Sequence, residues 1–458
     1  MPMSSELPPS ETVPAGRTAF GHPRGLAYIA FAEAWERFSF YGMQALLMLY
    51  MTQHLLKPGV IERVAGADGF RHGVEAVFGT LSDQAFASQV FGLYVGFIYF
   101  APIFGGWLGD RLTGRTVAVL GGAFSMAIGH FLMAFEAAFL PALFALIVGS
   151  GLLKGNLAAQ VGALYPITDR RRDAGYTIYF TAINIGAFVA PLICGSLGEF
   201  VGWHYGFGAA GIGMLLAIAI YVSGLKYMPT DRVSSATRRE KLSATDRRAI
   251  VMIAALLAIT SIFWTIQAQV WNIYPLWVRD VVDRNIGGGI EIPVSWFQSL
   301  DALTVLILAP IAVVYWRFQA RRQAEPNDIA KLAIGNVIFA AAALSLAIAQ
   351  MVSGNGGVSF AWPVAFHFLI GAGYVYCAPV ALALVSRVAP AAVNAMMVGA
   401  FYLGLFAGGI FSGWLARFYE PLGPIGFWAM HAGIGLTGAV AVLLLGYIGR
   451  DLLIADRA

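Results

Sequence analysis

Apolar runs of about 20 residues or more recur along nearly the whole of this chain, each long enough to cross ~30 Å of hydrocarbon as a helix. Lipid offers no water to satisfy the backbone, so such runs span as α-helices that make their own hydrogen bonds. Twelve are read, at 26–53, 84–109, 116–137, 141–164, 176–199, 204–227, 249–278, 294–318, 329–352, 360–386, 392–416 and 426–449. With 59% hydrophobic and 12% charged residues and a mean hydropathy of +0.71, a 458-residue chain is too apolar to be soluble. The expected class is an all-α polytopic membrane protein.

Lys and Arg fix the expected orientation. If the amino terminus is cytoplasmic, the inside segments hold Arg17, Arg24, Arg111, Arg115, Arg170, Arg171, Arg172, the seven cations of 226–248, Arg317, Arg321, Arg322, Lys331, Arg387, Arg450 and Arg457. The outside segments hold only Lys57, Arg63, Arg71, Arg279, Arg284 and Arg417, so the positive-inside rule puts both termini in the cytoplasm. The same scatter of basic residues, one loop at a time, explains the net charge of +4 without a nucleic-acid-binding surface.

Residues 1–25 are polar and Pro-rich, with no apolar core before a cleavage site, and read as a disordered cytoplasmic tail, not a signal peptide. The polar, basic stretch 228–248 separates six spans from six, giving bundles at 26–227 and 249–450, with 451–458 as a second cytoplasmic tail. Two six-helix halves on such a linker suggest the major facilitator architecture, with a substrate site between the halves near mid-bilayer. The linker is too short for an additional membrane hairpin. Cys194 and Cys377 are the only cysteines and lie within spans, which excludes a disulfide framework and a zinc site; no metal or cofactor is expected.

The first span carries Glu33, Glu36 and Arg37, and i, i+3 and i+4 positions share one helix face. A charge at mid-bilayer costs about 2.5–3.5 kcal/mol even on lenient scales, so that face meets a bundle interior or a water-filled cavity. The fourth span adds Lys154. Two carboxylates against two cations balance, and protonating either carboxylate releases a cation for an anionic substrate. An inert ion-pair network is the alternative, although apolar packing would hold helices together at lower cost. Between spans two and three, GGWLGDRLTGRT supplies Gly105 and Gly106 for close helix approach, with Asp110, Arg111 and Arg115 at a cytoplasmic gate. This loop is similar to the major facilitator pattern G-x-L-x-D-R-x-G-R-[RK].

Glu33, Glu36, Arg37 and Phe38, followed by Phe40, Tyr41 and Gly42, resemble the E-x-x-E-R-F-x-Y-Y-G signature of the proton-coupled oligopeptide transporters. Lys154 and Asn156 match G-x-G-x-x-K-x-N, YTIYFTAINIGAF is similar to F-Y-x-x-I-N-x-G, and Tyr94 and Tyr99 fall where bacterial members carry tyrosines. The resemblance implies a symporter of di- and tripeptides with protons as the coupling ion, in a bacterial inner membrane, acting as a monomer. It assigns the peptide carboxylate to Arg37 and Lys154, proton binding to Glu33 and Glu36, and peptide backbone contacts to Tyr41 and Asn184. Asn184 has the alternative reading of an interhelical hydrogen bond. Phe40, Tyr94, Asn156, Trp264, Gln298, Tyr374 and Phe401 are the expected pocket lining.

The second half departs from the family pattern. FWTIQAQVW has Ala268 at the family's acidic position, and Gln44 replaces the arginine with which that acid can close the extracellular side. Both partners are missing together, which avoids an unpaired buried charge. Tyr374 also stands where the family has the acid that attracts the peptide's amino group. Asp301, in WFQSLDALTVLILAP, is the expected replacement, binding the substrate ammonium and a second proton; capping of an outer helix end is the alternative. The altered amine site keeps a second function open, symport of a non-peptide anion or a modified amino acid. An enzyme is not expected, since no catalytic motif lies within the spans.

Overall fold

The computed structural model describes residues 18–19, 21–166, 168–231, 242–354 and 356–453. Most of the predicted tails and the middle of the predicted linker lie outside these residues. The first half contains α1 (Arg24–Tyr50), α2 (Ala67–Phe78), α3 (Asp83–Leu108), α4 (Arg115–Leu132), α5 (Phe139–Ala163), α6 (Arg171–Ala190) and α7 (Trp203–Ser223). The second contains α8 (Ala244–Ala268), α9 (Ile273–Val281), α10 (Val294–Arg321), α11 (Asp328–Ser353), α12 (Ala361–Val388), α13 (Asn394–Leu415), α14 (Tyr419–Ile448) and the short α15 (Arg450–Leu453). The protein is mostly helical, and ten segments among the described residues are long and apolar enough to cross a membrane. One of these, Met396–Ile448, takes in most of α13 and all of α14, while α1, which carries the charged cluster, is not among the ten. Large apolar side chains such as Phe104, Trp107, Phe124, Val314 and Tyr447 stand exposed on the outer faces of the helices, as lipid contact requires.

Local chemistry sets several helix ends. The Ser82 hydroxyl accepts from the Ala85 N–H to cap α3, and Asn327 does the same for α11. A reciprocal capping box between Ser243 and Asp246 starts α8 at Ala244, earlier than the expected 249. The predicted seventh span is broken. A turn at Gln269–Asn272 separates α8 from α9, and Gln298 of α10 donates its amide to the freed Val270 carbonyl at 3.3 Å.

α1 packs on α6 and α7, α3 on α5, and α4 on α5 and α7; α8 packs on α13 and α14, α11 on α12 and α14, and α10 on α12. The halves meet where α3 crosses α13 and α6 crosses α10. At the first crossing Gly92 and Gly96 face Gly409 and Gly413, and a Cβ on Gly92 would lie 2.5 Å from the Gly409 carbonyl oxygen. Two G-x-x-x-G faces thus bring the backbones together.

Side-chain hydrogen bonds join the halves at the end opposite Arg24 and Ile448, termed the far end. There the Glu199 carboxylate, in the extension of α6, accepts from the Val294 and Ser295 N–H groups at 2.8 and 2.9 Å, and the Trp296 indole donates to Ser196 at 2.8 Å. Asn272 donates to the Ser88 carbonyl at 3.4 Å, Ser82 donates to Glu420 at 2.5 Å, and Arg417 donates to the Phe78 carbonyl.

Candidate functional site

α1 brings Glu33, Glu36 and Arg37 to one buried face, each at most 6% exposed. Arg37 Nε lies 2.8 Å from Glu33 Oε1 and 2.5 Å from Glu36 Oε2, so one guanidinium serves both carboxylates. The Tyr179 hydroxyl of α6 hydrogen-bonds Glu33. Gly186 of α6 makes this proximity possible, because a Cβ there would lie 2.2 Å from the Ala34 carbonyl oxygen.

Lys154 extends from α5 toward the same cluster and interacts electrostatically with Glu36 and Glu33, but it has no carboxylate within ion-pair distance among the described residues. Its Nζ is buried without a hydrogen-bond partner and lies over two rings, 4.0 Å from the centroid of Phe40 and 4.8 Å from that of Tyr99. Such cation–π contacts can hold an ammonium where hydroxyls and carboxylates are lacking.

Asp301 sits two turns into α10, away from the helix end, whose backbone donors are met by Glu199. Both its oxygens accept from the Gln267 amide of α8, at 3.0 and 3.3 Å, and the Trp271 indole also donates to it. Tyr41, Tyr99 and Tyr374 lie within electrostatic reach of Asp301, and the Tyr41 ring packs at a tilt against Trp271 across the two halves, with centroids 5.2 Å apart. Asp301, Tyr41, Tyr374 and Asn184 are all half-buried, and Tyr402 is 45% exposed, so polar groups of both halves border accessible space.

The remaining expected residues divide into two groups. Trp264 packs edge-on to Tyr374 and Phe401 at 6.0 and 6.2 Å, forming an aromatic wall in the second half. Asn184 donates to the Phe180 carbonyl of its own helix at 2.8 Å and makes no interhelical hydrogen bond among the described residues. Four residues expected in the lining are instead interior. Phe40 is 1% exposed beneath Lys154 and Arg37. Asn156 ties α5 to α3 by donating to the Gly105 carbonyl at 2.9 Å, and Gln298 supports the α8–α9 break. Tyr94, 2% exposed, lies close to Glu36 but not in open space.

In the predicted gate loop Asp110 pairs with Arg115 at 2.8 Å, and Arg111 is exposed. The close approach expected of Gly105 and Gly106 is made by Gly105 and Gly109, against Gly151 and Asn156, while Gly106 faces open space. Sequence reasoning missed Tyr179, Gln267 and Trp271. The last two flank the departure at Ala268, which was the available signal that this stretch had been rebuilt.

A protein-family model described as the POT family matches residues 116–242 and 226–422. A peptide transporter of Yersinia enterocolitica, YePEPT, is 30% identical, with 85% of this chain and 86% of that protein covered. The chain belongs to the POT family. A di-/tripeptide transporter of Lactococcus lactis is 27% identical over 94% of this chain and 96% of its own length. Among solved structures, a peptide transporter in complex with sulfate superposes with a TM-score of 0.84 at 27% identity, covering 95% of this chain and 97% of that one. A variant in complex with alafosfalin gives 0.84 at 28%, covering 96% and 97%. These relatives are transporters, and the chain is a multi-pass membrane protein of the same kind.

Proposed function

We propose that this POT family member is a proton-coupled symporter that carries di- and tripeptides inward by alternating access. In this reading twelve helices, α1, α3–α8 and α10–α14, span a bacterial inner membrane in major facilitator order, both termini are cytoplasmic, and the far end is the outer face. The distribution of Lys and Arg supports that orientation. The far-end contacts then describe a state closed to the outside.

The observation that carries the proposal is the unequal pairing of the buried cations. Arg37 engages both Glu33 and Glu36, whereas Lys154 rests on aromatic faces with its donors unused. A peptide carboxylate can meet Lys154 without first breaking an ion pair, and a proton on either glutamate frees part of Arg37 for the same carboxylate. Proton and substrate therefore favour each other's binding, which is what symport requires. Asp301, across the accessible space, serves the peptide ammonium.

Ala268 and Tyr374, where the family pattern has acids, favour one second reading. With Asp301 already held by Gln267 and Trp271, the amine end is poorly served, and a non-peptide anion or a modified amino acid becomes the alternative substrate. Uptake of a labelled dipeptide into proteoliposomes under an inward proton gradient separates the two. Competition by unlabelled dipeptide but weak competition by its N-acetyl form is the expected result. Equal competition by the acetylated form refutes the amine role of Asp301, and no competition by any peptide refutes peptide transport.

A further inference from the structure

At the far end, away from the Glu33–Arg37–Lys154 cluster, a cavity of about 470 Å³ opens on the seam between the halves. Thr52, Gln53 and Lys57 beyond α1 and Asp83 and Gln84 of α3 form one wall, and Arg279 of α9 forms the other. Its volume falls in the range that holds small organic ligands. The charges of this wall are not equally committed. Asp83 is held by Arg71 at 2.8 Å, and Arg279 is paired with Asp280 at 2.6 and 2.9 Å, with one nitrogen 3.5 Å from Thr52. Lys57, by contrast, is exposed and has no side-chain hydrogen bond or ion pair among the described residues. The amide nitrogen of Gln84 is buried without a partner. Two donors of the cavity, the Lys57 ammonium and the Gln84 amide, are thus uncommitted beside a guanidinium, and the group that complements them is an anion with planar oxygens.

We infer that this cavity is an outer capture site for small carboxylates, in which Lys57 and Gln84 take the carboxylate of an arriving peptide before the far end opens. Asp83, whose side chain is 63% exposed, leaves room for the ammonium at the other end of a zwitterion. The inference deepens the proposed transport function and rests on it for the identity of the ligand and for the assignment of the far end as the outside. The cavity has walls from both halves, so a ligand there favours the closed arrangement until it is handed on.

The test uses the thiol of Gln53→Cys, at an exposed cavity residue, in the full-length protein in proteoliposomes. Cys194 and Cys377 are both buried, so a membrane-impermeant maleimide reads this position selectively. A dipeptide at about four times its Kd for the cavity is expected to slow labelling about fivefold, while the same dipeptide with an amidated C-terminus leaves the rate unchanged. Adding Lys57→Gln abolishes the protection. Protection that survives in a Lys154→Gln background belongs to this cavity and not to the buried cluster; its loss there, equal protection by the amide, or no protection by either peptide overturns the inference. Protection together with absent dipeptide uptake upholds the capture site and counts against the transport reading alone.

Discussion

Replacing Glu199 by Gln tests how the far end is held shut. The carboxylate receives two backbone N–H groups at the start of α10, at 2.8 and 2.9 Å, and those groups belong to the opposite half of the molecule. Hydrogen bonds to a charged acceptor contribute about 1.5–3 kcal/mol each. A Gln keeps one acceptor oxygen but loses the second bond and the charge that the helix N-terminus favours. The expected loss is about 2 kcal/mol, which shifts the equilibrium between closed and open far ends about 30-fold toward open. Glu199→Gln is therefore expected to gain a longer-distance population between spin labels on Val77→Cys and Ile286→Cys. Both positions are exposed, 75% and 59%, at the far ends of the two halves, and the native cysteines are buried. Identical distance distributions in the two proteins, with Glu199→Gln folded by thermal melting, would refute the assignment of Glu199 as the latch.

Four further outcomes follow from the geometry. Glu36→Gln leaves Arg37 with one carboxylate, costs about 3–5 kcal/mol as a broken buried pair, and abolishes proton-driven uptake while peptide counterflow persists, measured in the same proteoliposomes. Asp301→Asn raises the KM for a dipeptide about tenfold and leaves that for its N-acetyl form unchanged, the size of one lost charged hydrogen bond; unchanged affinity and pH dependence for both would sink its amine role. Gly409→Val drives side-chain carbon into the backbone of Gly92 and Gly96 and lowers the melting temperature, by about 1–3 kcal/mol of overpacking. At the far end the Arg71 guanidinium holds the Glu75 carboxyl below its ordinary value, assisted by the Leu81 N–H. Its contribution is present above the ordinary value and vanishes as pH falls through the lowered one, so amide-exchange protection at Leu81 persists in mildly acidic buffer, disappears in stronger acid, and is absent throughout in Glu75→Gln.

Positions of the helices could be read from the chain because each needs only length and apolarity, and lipid penalises exceptions heavily. The α8–α9 break could not, since no Gly or Pro marks Gln269–Asn272 and the freed carbonyl of Val270 is met by Gln298 from another helix. The same limit applies to Phe40, Asn156 and Gln298. Residue type and spacing placed them near the site, yet whether a side chain faces a cavity or a neighbouring backbone depends on helix rotation, which one sequence leaves open. Glu33, Glu36 and Arg37 escaped this ambiguity because burying three charges has so few affordable solutions.

The missing Gln44–Ala268 charge pair and the aromatic seat of Lys154 bear on a single question, how cheaply the halves can part. Gln44 is buried with its amide oxygen unpartnered, and α8 ends at Ala268, where the family pattern has an acid. The far end is held instead by dispersed contacts, chiefly the α3–α13 glycine crossing and the Glu199 bonds. Neutral close packing is insensitive to pH and salt, so electrostatic control of closure concentrates in few groups, with Glu199 the carboxylate that spans the halves at the start of α10. Restoring a charge pair by Gln44→Arg with Ala268→Glu should then favour the closed face over the parent protein, whereas Gln44→Arg alone buries an unmatched cation and destabilises the fold. Coupling of opposite sign in that double-mutant cycle, with the pair less closed than the sum of its single changes, would mean that the present contacts already occupy the space a salt bridge needs.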